Sequence, residues 1–152
     1  MARSLLLLTC GIALACAGCG GGHPTRAEAI ERYSTDLREA VSAKVDDQQR
    51  RQQMVQIVDK IEALHTEFSR ETADFIAAFR RLNAEYDAPR PAFDQLFADY
   101  RTERIKARNE ALDLHYQLAG MATDDEWNTI GKAEAKFYEK TNDARPSGET
   151  PK

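Results

Sequence analysis

Apolar residues recur at helical spacing along a stretch, residues 25–88, that contains neither glycine nor proline. Steps of three and four residues alternate within it, which gives a repeat of about 3.5 residues, typical of helices that pack on partner helices. We therefore predict helix throughout this stretch. The apolar members of the repeat include Ile30, Tyr33, Leu37, Met54, Val58, Ile61, Phe68, Phe75, Phe79, Leu82 and Tyr86.

Residues 46–53 interrupt the repeat, because all eight side chains are polar or charged. Two turns of helix in this segment would bury nothing. We expect the helix to break near Asp46 and Asp47, since Asp is a good N-cap residue and an unbroken rod of about 90 Å would be rare in a chain this short. A continuous solvated helix is the alternative, because no glycine or proline marks a break.

Local signals mark the other helix ends. Thr25 and Thr123 each precede a glutamate by three residues, the spacing of a capping box at a helix start. Pro89 and Pro91 predict a turn between the second helix, expected from about Gln48 to Asp87, and the third helix. Gly120 is expected to stop the third helix. The sequence thus predicts an all-α fold, an elongated antiparallel helical hairpin or bundle of three to four helices with coiled-coil-like heptad packing.

Length and charge narrow the class of protein. The chain has 152 residues, the size of one domain, and 30% of them are charged, with a net charge of −4. Both signs are interspersed, so no basic face for nucleic acid is expected.

The three cysteines all lie within the first nineteen residues, and none is available to the helical body. Cys16 and Cys19 have a redox spacing, but Gly20 rather than His follows, which excludes haem attachment.

The first eighteen residues have the character of a secretory signal peptide. Arg3 is followed by four leucines and then by small and apolar residues, a stretch too short to span a bilayer. The segment that ends in Ala17, Gly18 and Cys19 resembles the lipobox of bacterial lipoproteins, in which the cysteine is lipidated and becomes the new N-terminus. Cys16 is a second partial match. An ordinary signal peptide, cleaved without lipidation, is the other alternative.

The resemblance implies that a lipid on Cys19 anchors the mature protein to a membrane and that the protein faces the periplasm. Gly20 in place of Asp after the cysteine favours the outer membrane over the inner membrane, by the sorting rule of enteric lipoproteins. The expected organisation is a signal peptide at residues 1–18, a lipidated glycine-rich tether at 19–25, a helical domain at 26–141 and a disordered tail at 142–152.

The turn at Pro89 and Pro91 predicts which residues of the second and third helices lie level. If the turn is tight, residue numbers that sum to about 180 face each other, which places His65 beside His115. With Glu62 one turn away, these side chains form a candidate mononuclear metal site. We prefer two half-buried histidines that titrate together, with repulsion lowering their pKa values. No metal or cofactor is therefore assigned.

Three arginines form a stripe on the third helix. The same register places Arg101, Arg104 and Arg108 near Glu71 and Asp74, which predicts an interhelical charge network. A face that binds lipid headgroups or other anions is the alternative. Neither interpretation implies catalysis, and no set of Ser, His and Asp residues has a spacing that recommends a catalytic triad.

The aromatic residues Phe93, Phe97, Tyr100 and Trp127 are expected to pack in the core, because each falls on a helical stripe. A partner-binding surface is the alternative. The sequence as a whole predicts a non-enzymatic, membrane-anchored cell-envelope lipoprotein with a helical body for protein interaction, adaptor or chaperone-like. Its architecture resembles that of small periplasmic helical chaperones, although their Leu-Thr-x-x-Gln motif is absent. A periplasmic metal-binding or metal-sensing protein is the alternative.

Overall fold

The computed structural model describes residues 24–144, and the elements in this range are four helices. The predicted all-α bundle is confirmed. Cys16, Cys19 and the tail from residue 145 lie outside the described residues. The helices are α1 (Arg26–Lys44), α2 (Gln48–Ala84), α3 (Arg90–Met121) and α4 (Asp124–Asp143).

Both predicted capping boxes are present. The Thr25 hydroxyl accepts from the Glu28 amide at 3.3 Å, and the Glu28 carboxylate accepts from the Thr25 amide at 2.8 Å. Thr123 and Glu126 repeat this exchange at the start of α4, at 3.4 and 2.8 Å. Each box satisfies backbone amides that have no partner inside the helix. The starts of α1 and α4 are therefore set by local chemistry.

The predicted break between the first two helices is confirmed. α1 ends at Lys44, and the Asp47 carboxylate caps α2 by accepting from the Arg50 amide at 2.6 Å. Val45 is buried within the turn, where its carbonyl accepts from Arg51 Nη1 at 3.0 Å. The polar run thus has a structural use, because its side chains close the turn that folds α1 back onto α2.

The core lies at one end of the molecule, where α1 and α4 cover the first half of α2 and the second half of α3. Ion pairs tie the helices together there. Arg38 of α1 pairs with Asp59 and Glu62 of α2, at 2.8 Å for Asp59 Oδ1. Arg50 of α2 pairs with Glu126 of α4 at 2.6 Å. We call this end of the molecule the base. Its buried apolar side chains include Leu37, Val41, Met54, Val58, Ile61, Leu114, Leu118, Ile130 and Phe137.

The rest of α2 and α3 extends from this base as a two-helix hairpin. Arg26, at the start of α1, lines the same cleft as Thr72 and Tyr100, so α1 reaches about this level of the hairpin. We call the part beyond it, residues 73–99, the arm. Aromatic rings join α2 and α3 within the arm and at its boundary with the base. Phe75 stacks on Tyr100 with ring centroids 4.1 Å apart, and Phe79 meets Phe97 at 5.9 Å. The rings contact one another, but the prediction that Phe93, Phe97 and Tyr100 pack in the core is wrong, since no residue from 70 to 113 is buried.

Three helix ends differ from the sequence-based prediction. α2 ends at Ala84 rather than Asp87. Gly120 lies inside α3, which continues to Met121, so the predicted glycine stop is wrong. α3 ends instead where Thr123 begins the capping box of α4. α4 continues to Asp143, so residues 142 and 143, which the sequence assigned to the tail, are helical.

Candidate ligand-binding cleft

A cleft of about 740 Å³ lies between α3 and α4. These helices are joined by a short turn, but they diverge from it because α4 packs along α1 and α3 packs along α2. Part of α2 forms the floor, and the cleft is open to solvent. Its volume falls within the range of roughly 300–1,000 Å³ that is typical of small-molecule sites.

The floor and one wall of the cleft are apolar. Leu64 and Phe68 of α2 line the floor, and Ala107, Ala111 and Leu112 of α3 line the wall. The two alanines are the reason that there is space here, since larger side chains at these positions would fill the gap. Leu112 is 42% exposed, so the apolar lining continues to the rim.

Three arginines line the same cleft. Arg26 enters from α1, where its Nε donates to the Thr141 carbonyl at 3.2 Å, and Arg104 and Arg108 enter from α3. Within residues 24–144, Arg104 and Arg108 form no ion pair or hydrogen bond, and no Asp or Glu is part of the lining. The cleft therefore combines an apolar interior with an uncompensated positive charge.

Among the described residues, the predicted charge network between α2 and α3 is not formed: no ion pair joins Arg101, Arg104 or Arg108 to Glu71 or Asp74. Asp74 accepts from Arg70 of its own helix, with 3.2 Å between Arg70 Nη1 and Asp74 Oδ2. The register of the two helices also differs from the predicted one. Phe79 lies against Phe93 and Phe97, so level residues have numbers that sum to about 172–176 rather than 180.

His65 lies in the cleft against α4 rather than beside His115. Its ring meets the Phe137 ring edge-on at 4.8 Å and the Tyr138 ring at 5.3 Å. Burial, helped by the charge of Arg26, lowers the pKa of His65 to about 4. The predicted direction of the shift is confirmed, but its predicted cause, repulsion between two histidines, is wrong.

Two buried polar atoms in the lining have no hydrogen-bond partner among the described residues. They are His65 Nε2 and the Tyr138 hydroxyl oxygen. Burial and the nearby Glu134 raise the pKa of Tyr138, so its hydroxyl stays protonated. Buried polar atoms are paired in most proteins, and each exception calls for an explanation. Both residues line the cleft, but the two polar atoms themselves have almost no solvent-accessible surface.

His115 lies in the cleft with a partner of its own. Its Nδ1 atom shares a hydrogen bond of 2.8 Å with Glu134 Oε2, and its ring meets Trp127 at 5.7 Å. Burial raises the pKa of Glu134, while the hydrogen bond to His115 opposes that rise. This carboxylate lies behind the histidine and is not part of the cleft lining.

The Glu62, His65 and His115 set is not assembled as a metal site. Glu62 faces α1 and binds Arg38, His65 contacts the rings of α4, and His115 binds Glu134. Over residues 24–144 no three His, Cys, Asp or Glu side chains are grouped as metal ligands. Tyr138 and Arg26 were not among the candidates from the sequence, because nothing local shows that α1 and α4 meet beside α3.

Comparisons with protein-family models, with curated proteins and with solved structures find no match to this chain. Among the described residues, no helix has both the length and the apolar composition needed to cross a bilayer. The functional argument therefore depends on the surfaces of this molecule alone.

Proposed function

We propose that this protein is a non-enzymatic, membrane-tethered protein of the cell envelope, whose helical body binds a protein partner through the arm. The anchor is the lipid at Cys19 that the lipobox-like leader predicts, and the arm is the binding element. The proposal places the anchor and the binding surface in different parts of the chain, so each is tested separately.

The observation that supports partner binding is the incomplete burial of the arm. Phe75, Phe79 and Phe93 pack between two helices only, and Phe97 remains 47% exposed. A pair of helices covers each ring from two sides, whereas the base covers its core with four helices. Large aromatic groups that are open on one side are typical of interface hot spots.

The occupant that fits this surface is an amphipathic helix of the partner. Within the arm, α2 contributes residues 73–84, about 18 Å or three helical turns, along which a partner helix can lie. A third helix laid along the arm would bury the exposed edges of the rings, as in helix-in-groove recognition. Ile105, Leu112 and Tyr116 extend the exposed apolar side chains of α3 beyond the arm.

In-cell photocrosslinking tests the binding surface. A photoreactive residue in place of Phe97 should give one discrete adduct, whereas the same residue in place of Gln95, which is exposed and lies two positions away on the helix, should give none. An adduct of twice the chain mass would show that the partner is a second copy. Equal labelling at both positions, or none at Phe97, would contradict binding through the arm.

Matched charge substitutions then test the affinity. With the identified partner and the purified protein, Phe97→Asp should weaken binding at least tenfold, which corresponds to about 1.4 kcal/mol. Gln95→Asp carries the same charge on the opposite face and should leave the affinity unchanged.

The anchor has its own test. Cys19→Ser should leave an unprocessed or soluble periplasmic form, whereas the mature wild-type chain should carry acyl groups on Cys19 in an intact-mass measurement. An unmodified Cys19 at the mature N-terminus would contradict lipidation. It would not affect the argument for the arm.

A further inference from the structure

We propose that the cleft between α3 and α4 binds a single anionic amphiphile, a molecule with one carboxylate or phosphate headgroup and a hydrocarbon tail. This site is distinct from the arm and does not depend on the proposed protein partner. Free fatty acids and lysophospholipids share this chemistry.

The charges of the cleft specify the headgroup. Arg26, Arg104 and Arg108 come from two helices and face one space whose lining contains no carboxylate. A guanidinium group presents paired donors that match the two oxygens of a carboxylate or phosphate. Arg104 and Arg108 are four residues apart, so they lie on consecutive turns of one helix face. Both are without partners among the described residues, and an anion between them needs no existing ion pair to break.

The Tyr138 hydroxyl is a neutral donor close to the cleft. It is buried in the lining, stays protonated and donates to no residue in the range 24–144. Its oxygen atom is closed off from the cleft, so a ligand gains this donor only if the Tyr138 ring turns towards the cleft. His65 Nε2 is closed off in the same way, so the arginines carry the recognition of the headgroup.

The apolar lining specifies the tail. Leu64 and Phe68 form the floor, Ala107 and Ala111 leave the space, and Leu112 continues the apolar surface to the rim. A small hydrophilic anion would leave this lining exposed to water, whereas a hydrocarbon chain would cover it. The volume of about 740 Å³ is in the range of sites that bind small organic molecules.

Displacement of parinarate, a fluorescent long-chain carboxylate, tests the proposal on the mature chain with Cys19→Ser, which carries no covalent lipid. Parinarate should bind saturably, and oleate should displace it while oleyl alcohol, which has the same tail without the charge, should do so at least tenfold less well. Lysophosphatidylglycerol in the same assay distinguishes the two sources. Stronger displacement by oleate assigns a carboxylate, stronger displacement by the lysolipid assigns a phosphate, and either result supports the site.

Matched variants locate the binding. The double variant Arg104→Gln/Arg108→Gln should weaken parinarate binding at least tenfold, whereas Arg101→Gln, on the same helix but outside the lining, should not change it. Ala111→Trp fills the cleft without removing charge and should abolish binding, so the test does not depend on one variant. Thermal unfolding of each variant confirms that it is folded.

Three outcomes would overturn the proposal. The first is parinarate binding that is unchanged by both the double arginine variant and Ala111→Trp. The second is an equal loss with Arg101→Gln, which would show that the arginines act as a general basic surface. The third is the absence of saturable binding with folded protein.

Discussion

Protonation of His65 should destabilise the bundle, and the structure gives the size of the effect. Burial against Phe137 and Tyr138, with Arg26 nearby, lowers the folded-state pKa to about 4, whereas a histidine in the unfolded chain titrates near about 6.5. Between these values the unfolded chain binds a proton that the folded chain does not. The contribution of His65 is therefore complete above pH 6.5 and is lost as the pH falls towards 4. From pH 7.5 to 5 the loss is about 2 kcal/mol.

Urea unfolding followed by circular dichroism at pH 7.5 and 5 measures this loss. His65→Gln keeps a polar side chain of similar size but does not titrate, so its free energy of unfolding should fall by about 2 kcal/mol less than that of the wild type. Glu134, whose pKa is raised by burial, acts in the opposite direction, since its folded state takes up a proton more readily. It is present in both proteins, so the difference between them isolates His65. The same pH dependence in both would refute the argument.

Two matched pairs of substitutions test the packing. Phe137→Ala, in the base, should cost about 3–5 kcal/mol, whereas Phe79→Ala, in the half-buried arm, should cost about half as much; equal costs, measured by urea unfolding, would contradict the position of the core. Gly120→Ala places a methyl group in open space within α3 and should stabilise the protein by about 0.5–1 kcal/mol. Gly131→Ala places a methyl group 2.9 Å from Trp127 Cε2, so it should displace this single tryptophan and shift its fluorescence emission to longer wavelength. Unchanged emission would contradict that contact.

The helix starts were predictable because their causes are local. Thr25, Asp47 and Thr123 each accept from an amide three residues later, so the signal and the structure lie within one turn. The end of α3 was not predictable in this way. Glycine is the residue type that most often ends a helix, and it does so with a left-handed backbone. Gly120 is helical instead. The capping box of the following helix sets the end instead.

The position of His65 relative to α3 depends on where the turn between α2 and α3 is centred, and a shift of the centre changes the sum of level residue numbers by twice as much. α2 ends at Ala84 and α3 begins at Arg90, so the turn is centred near residue 87 rather than 90. The numbers of two level residues on antiparallel helices sum to twice the number at the centre of the turn. A shift of the centre by three residues therefore changes the sum by six. His65 therefore lies level with α3 near Ala107 and Ala111, and His115 lies further along the helix. Its partner, Glu134, comes from α4, whose path the turn at Pro89 does not determine.

The position of the core follows from the lengths of the helices rather than from the hydrophobic pattern. The apolar repeat continues from Met54 in the base to Phe79 in the arm, so the sequence gives both halves of α2 the same interior face. α1 and α4 contain 19 and 20 residues, against 37 and 32 in α2 and α3, and they cover only one end of the hairpin. The two proposed binding surfaces both result from this mismatch. The arm is the part of the hairpin that the short helices do not reach, and the cleft is the gap left where α4 follows α1 rather than α3.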